Sequence, residues 1–211
     1  MKNLTTLIFL ALSSIICQAQ DVYVSTSFNE PATEGLRFIY SEDGTHWNSI
    51  QGTFLKPGVT SVPNPEPEKQ GVMRDPSIAV GPDGTFHLVW TSAWRGDPGF
   101  GYAHSKALIH WSEPRFVKVM DNPTTVNVWA PEICYDSENR QFMISWASCI
   151  PGAYPAGQED HLNNHRLYYT TTKDFKKFSK AKIFIEPGFS CIDAAPPVKM
   201  SNGKWVLVCK D

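Results

Sequence analysis

The chain has 211 residues, a formal net charge of −2, 42% hydrophobic residues and 12% aromatic residues. That length supports one sizeable core, and the near-neutral charge argues against nucleic acid or an anionic membrane surface as the main partner. No segment beyond the N-terminus is apolar enough for a membrane-spanning helix, so no membrane span is expected.

The chain opens MKNLTTLIFLALSSIICQAQ. Lys2, the short apolar run from Leu7 to Ile16 and the small residue Ala19 predict a secretory signal peptide over 1–19. The expected mature chain is 20–211, in the periplasm or outside the cell. The rival reading lipidates Cys17, but that wants a small residue before the cysteine, and Ile16 is not small. Export permits disulfides. The remaining cysteines, Cys134, Cys149, Cys191 and Cys209, have no metal-site spacing and lie in or beside strand-like runs. They read as small buried hydrophobes, and no bridge is assigned.

Past residue 20 helical signals are nearly absent, and apolar runs alternate with Gly, Pro, Asn and Asp. Residues 72–92, VMRDPSIAVGPDGTFHLVWTS, read as a β-hairpin around Gly81-Pro82-Asp83-Gly84. Two series then repeat. Ser41…Trp47, Ser105…Trp111 and Thr172…Phe178 each place a hydroxyl residue six positions before an aromatic, about every 65 residues. Asp75-Pro76-Ser77, Ala130-Pro131-Glu132 and Ile192-Asp193-Ala194 each place an acid at the mouth of an apolar strand, at a similar period.

One repeat is therefore four strands, and a four-stranded antiparallel sheet repeated around an axis is a β-propeller. The expected class is all-β. If the acid-led strand is the innermost of each blade, Asp75, Glu132 and Asp193 converge at one end of the channel. Residues 22–50 read as a partial blade, 75–120 and 132–185 as whole blades, and 193–211 as two strands of another. The run ending VLVCKD reads as a buried second strand. About three to three and a half blades leave the circle open, so the chain is expected to be the N-terminal part of a protein of roughly 300 residues or more.

The motifs MRDPS, VWAPEICYD and PGFSCIDA, in this order and phase, resemble those of glycoside hydrolase family 43, five-bladed propeller enzymes acting as arabinofuranosidases, xylosidases and arabinanases. The resemblance covers nearly the whole mature chain. It implies a carbohydrate substrate and inverting hydrolysis of arabinose- or xylose-containing glycans. It makes Asp75 the general base and Asp193 the residue that orients the acid and tunes its pKa. The family's general acid is a Glu, usually in a Glu-Gly-Pro motif of the next blade. That motif does not occur here.

The Trp-Ala-Pro-acid segment resembles one that shapes the sugar site, so Glu132 is expected to serve the substrate or the scaffold rather than to donate the proton. Trp94 and Trp129 read either as stacking platforms or as blade packing. Arg74 binds sugar hydroxyls or pairs with Asp75, lowering its pKa. No cofactor is expected. A channel Ca2+ rests on the resemblance alone, and no ligand set for it is legible.

Two other functions compete: a non-catalytic sugar-binding propeller, and a sialidase-like enzyme. The second is weak, because the Ser-x-x-Gly-x-x-Trp turn is one residue short of an Asp box and arginines are sparse.

Overall fold

The computed structural model describes residues 21–62, 71–155 and 162–211. The expected signal peptide, with Cys17, and residues 156–161 of the second long loop lie outside the described residues.

The fold is all-β, with no helix among the described residues. Strands β1 (Tyr23–Ser27), β2 (Leu36–Ser41) and β3 (Asn48–Leu55) form a three-stranded antiparallel sheet. Strands β4 (Arg74–Val80), β5 (Phe86–Thr91), β6 (Gly99–Ser105) and β7 (Arg115–Lys118) form a four-stranded meander in that order. A second meander comprises β8 (Trp129–Asp136), β9 (Gln141–Cys149), β10 (His165–Thr172) and β11 (Lys182–Ile185). A final pair, β12 (Val198–Lys199) and β13 (Trp205–Val206), lies beyond. These are successive propeller blades, and the expected limits of the two whole blades hold to within a few residues.

The core lies between blades rather than within them. Leu36 and Phe38 of the first sheet meet Met73, Leu88 and Trp90 of the next. Val89, Phe100 and Tyr102 meet Ile133, Phe142, Ile144 and Trp146. Ala147 and Leu167 meet Cys191 and Ala194. Middle strands are thus covered on both faces, which is why β5 is a near-continuous apolar run instead of an alternating one. Gly101 pairs with Trp90 across β5 and β6. A Cβ there would lie 2.0 Å from the Trp90 ring, so only glycine leaves room for the indole.

The hydroxyl-led series ends the third strand of each blade, and its role is local. Ser105 Oγ accepts the N–H groups of Ala107 and Leu108 at 3.1 and 3.0 Å. Ser41 Oγ does the same for Asp43 and Gly44, and Thr172 Oγ1 for Asp174 and Phe175. Three residues after each hydroxyl the backbone turns left-handed, with φ of 77° at Gly44, 63° at Leu108 and 55° at Phe175. Because Ser41 ends β2 as Ser105 ends β6, β1–β3 correspond to the second to fourth strands of a blade.

One expectation fails here. The run KWVLVC is not a buried strand: Trp205 is 60% and Val208 65% exposed. β13 pairs only with the two-residue β12, and among the described residues no further strand covers it.

Candidate active site

Each blade's inner strand carries a bulge near its start. Between β4 and β5 the register runs Arg74↔Thr91 and then Ser77↔Val89. Between β8 and β9 it runs Trp129↔Ala147 and then Glu132↔Ser145. The next blade repeats this, with the Ile192↔Lys210 bridge followed by a hydrogen bond from the Ala195 N–H to the Val208 carbonyl. Each inner strand gains one residue over its partner, which breaks the pleat and re-aims a side chain. The residue after the first pair is left-handed in all three, with φ of 47° at Asp75, 44° at Ala130 and 52° at Asp193. Asp tolerates that region better than other side chains with a Cβ, whereas alanine is strained there.

This geometry corrects the phase of the acids. The counterpart of Asp75 in the middle blade is Ala130, not Glu132. Glu132 occupies the place of Ser77, two residues further into the strand. Asp75 and Asp193 are equivalent, as expected, and the middle blade has no acid at that position.

The three carboxylates nevertheless share one field. Thr91 Oγ1 donates to Asp75 Oδ2 at 3.2 Å and accepts the Ala130 N–H at 2.9 Å, so one hydroxyl fastens the acid to the neighbouring blade. Ser77 repeats the device: its hydroxyl donates to Glu132 Oε2 at 2.6 Å and accepts the Ile133 N–H at 3.2 Å. Burial raises the Asp75 pKa; Arg74 and the Thr91 hydroxyl pull it down, and the charges of Asp193 and Glu30 push it up again. Burial also raises Glu132, against the Ser77 hydrogen bond, with Asp75 and Asp193 adding to the rise. Asp193 itself is exposed. Glu132 and Ser77 line a cavity of about 450 Å³ between β1 and β4.

Arg74 is held by more than its sequence neighbour. Its Nη1 lies 2.9 Å from Glu30 Oε1, and its Nε 4.0 Å from Asp75 Oδ2. Its guanidinium sits 3.7 Å above the ring of Trp94. Trp94 is 52% exposed, and its carbonyl accepts the Trp129 indole N–H at 2.7 Å. Trp129 in turn stacks on His165 at 5.0 Å. The expected site residues Arg74, Asp75, Trp94 and Trp129 thus form one connected surface, with Asp193 and Glu132 within electrostatic range.

Sequence reasoning passed over Glu30, Thr91, His165 and Asp97. Asp97 is buried and accepts hydrogen bonds from Thr60, from both the N–H and the hydroxyl of Ser61, from Val62 and from Ser92. It pins the loop bearing Trp94 to a segment more than 30 residues earlier. An acid inside the Gly- and Pro-rich run RGDPG was the available signal. A larger cavity, about 690 Å³, lies between the second meander and β13, lined by Tyr135, Met143, Phe184 and Trp205. It holds none of the three acids. Among the described residues no group of three or more His, Cys, Asp or Glu side chains is placed to hold a metal ion.

Solved structures that superpose on this fold include sugar enzymes by name. A glycosyl hydrolase from Bacteroides ovatus superposes with a TM-score of 0.56 at 18% identity, over 88% of this chain and 55% of that one. A fructofuranosidase from Schwanniomyces occidentalis solved with fructose gives 0.53 at 18% identity, over 74% and 32%. A family 93 α-L-arabinofuranosidase from Fusarium graminearum solved with arabinobiose gives 0.52 at 19% identity, over 89% and 52%. At these identities the likeness is one of fold, and the chain spans little more than half of these proteins at most. No curated protein matches the sequence. A family model described as a probable glycosyl hydrolase domain, of the family 43-related group, matches residues 19–210. The chain therefore belongs to this family of probable glycosyl hydrolase domains.

Proposed function

We propose that the chain carries the base side of an inverting glycoside hydrolase acting on arabinose- or xylose-containing glycans. One observation carries this reading. Two equivalent left-handed bulges in different blades carry Asp75 and Asp193, the charge of Asp193 acts on Asp75, and Arg74 joins Asp75 to Trp94 and through it to Trp129.

In this reading Asp75 takes a proton from the water that attacks the anomeric carbon. A protonated carboxyl about 6.5–9.5 Å away delivers one to the leaving oxygen. Arg74 and Thr91 favour the ionised Asp75 that the base role requires, against the burial that opposes it. Asp193 tunes the field. Glu132, deeper in the strand and engaged by Ser77, shapes the sugar site instead of donating the proton. Trp94, 52% exposed, and the half-buried Trp129 offer apolar surface to the C–H face of a sugar ring.

The test is Asp75→Asn in the full-length protein, which supplies the acid this chain lacks, assayed on aryl arabinofuranosides and xylosides with NMR of the first-formed anomer. The expected result is a loss of at least about 10³-fold in kcat with an unchanged circular dichroism spectrum, and inverted product in the unmodified protein. Full activity in the variant sinks the assignment of the base. Sugar binding without turnover in the unmodified full-length protein moves the chain to the second reading, a non-catalytic sugar-binding propeller.

A further inference from the structure

Cys191 and Cys209 immediately precede the two partners of the Ile192↔Lys210 bridge. Both N–H···O bonds of that bridge are made, at 2.8 and 2.9 Å, so the two cysteines fall on one face of the paired segments. They belong to one apolar cluster, with Cys191 fully buried and Cys209 half-buried.

The other two blades show what this position normally holds. The residues preceding the Arg74↔Thr91 pair are Met73 and Trp90, fully buried together. Those preceding Trp129↔Ala147 are Val128 and Trp146, likewise buried together. Twice the pair is an aliphatic side chain against an indole. In the third instance both large groups are replaced by cysteine, and the charge of Cys209 is felt at Cys191.

We propose that Cys191 and Cys209 are a disulfide-forming pair, closing a covalent loop across the strand that carries Asp193. The half-buried Cys209 thiolate attacks a disulfide-bearing oxidant such as glutathione disulfide, breaking its S–S bond and releasing one thiol. Cys191 then attacks the mixed disulfide, the Cys191–Cys209 bond forms, and the second thiol leaves. The two cysteines lose two electrons and two protons, and the oxidant gains both. Burial and the neighbouring thiol push Cys191 up to about 11, so the resolving step speeds up as the solution is made alkaline. The pairing does not depend on the proposed hydrolase activity.

The test uses the full chain, reduced and then incubated with glutathione disulfide at pH 7 and pH 9. Remaining thiols are blocked with N-ethylmaleimide in denaturant, and the peptides are mapped by mass spectrometry. The expected product joins the peptides bearing residues 191 and 209, two hydrogens lighter than their sum, and forms faster at pH 9. Both residues carrying the maleimide, or either joined to Cys134 or Cys149, overturns the proposal. A thermal melt gives a second reading. Oxidation should raise Tm by about 5 °C, and Cys209→Ser should remove that gap; a gap that persists in the variant also overturns it.

Discussion

The two ends of each blade treat the same residue type in opposite ways. At the hairpin end, Asp43, Asp83, Asp136 and Asp174 lie in turns, each accepting N–H or hydroxyl donors from residues just after it, and each has a lowered pKa. At the bulge end, Asp75 and Glu132 are half-buried, meet one another's charge and that of Asp193, and have raised pKa values. Both ends also use left-handed residues in each blade. The hairpin end spends its acids on its own backbone, through donors the local sequence supplies. At the bulge end, Arg74 and Thr91 for Asp75, and Ser77 for Glu132, only partly offset burial and the neighbouring acids. A charge that the scaffold leaves incompletely satisfied is a charge available for chemistry.

Changes at each end separate these roles. The largest effect on stability is expected from Phe175→Ala at the hairpin end. Phe175 is 4% exposed, and its ring stacks on His87 at 4.0 Å and on Tyr102 at 4.6 Å. Its removal should cost about 3–5 kcal/mol in urea unfolding. Next comes Ser105→Ala, which leaves two N–H groups without their acceptor and should cost about 1–3 kcal/mol by the same measurement.

The pH dependence sets the ends against each other. A carboxylate with a raised folded pKa binds protons more tightly when folded, so its contribution to stability falls as pH rises from 3.8 through the folded value. Asp75→Asn should therefore melt above the unmodified protein at pH 7, with the gap closing as pH falls toward 3.8. Asp83→Asn should do the reverse, since a lowered pKa stabilises above the ordinary value. Melting curves across pH 3–8 that shift alike for both variants would erase the contrast. The smallest effect is expected from Ala130→Gly, which relieves a strained φ of 44° and should gain about 1 kcal/mol or less.

Much of the scaffold was legible because propeller blades are built from local rules. Turn residues punctuate alternating apolar runs, and the repeat of Ser41, Ser105 and Thr172 marks the ends of equivalent strands. The phase of the site was partly misread because acids were matched to acids. Pro76 and Pro131 were the better anchors, since both follow the left-handed residue, and matching them places Ala130 against Asp75. Glu30 and Thr91 were invisible as site residues because the partners that give them their roles lie 16 or more residues away. The exposed Trp205 was misread for a related reason: an apolar run records a preference for burial, and the neighbouring strands decide whether it is met.

The guanidinium carbon of Arg74 lies over one face of Trp94, 3.7 Å from the ring centre. An indole has two faces, and here a cation already fills one. Any ring that settles on Trp94 must arrive from the opposite side, so the surface distinguishes top from bottom before a single hydroxyl is recognised. The charge that tunes Asp75 thereby also dictates the direction of approach.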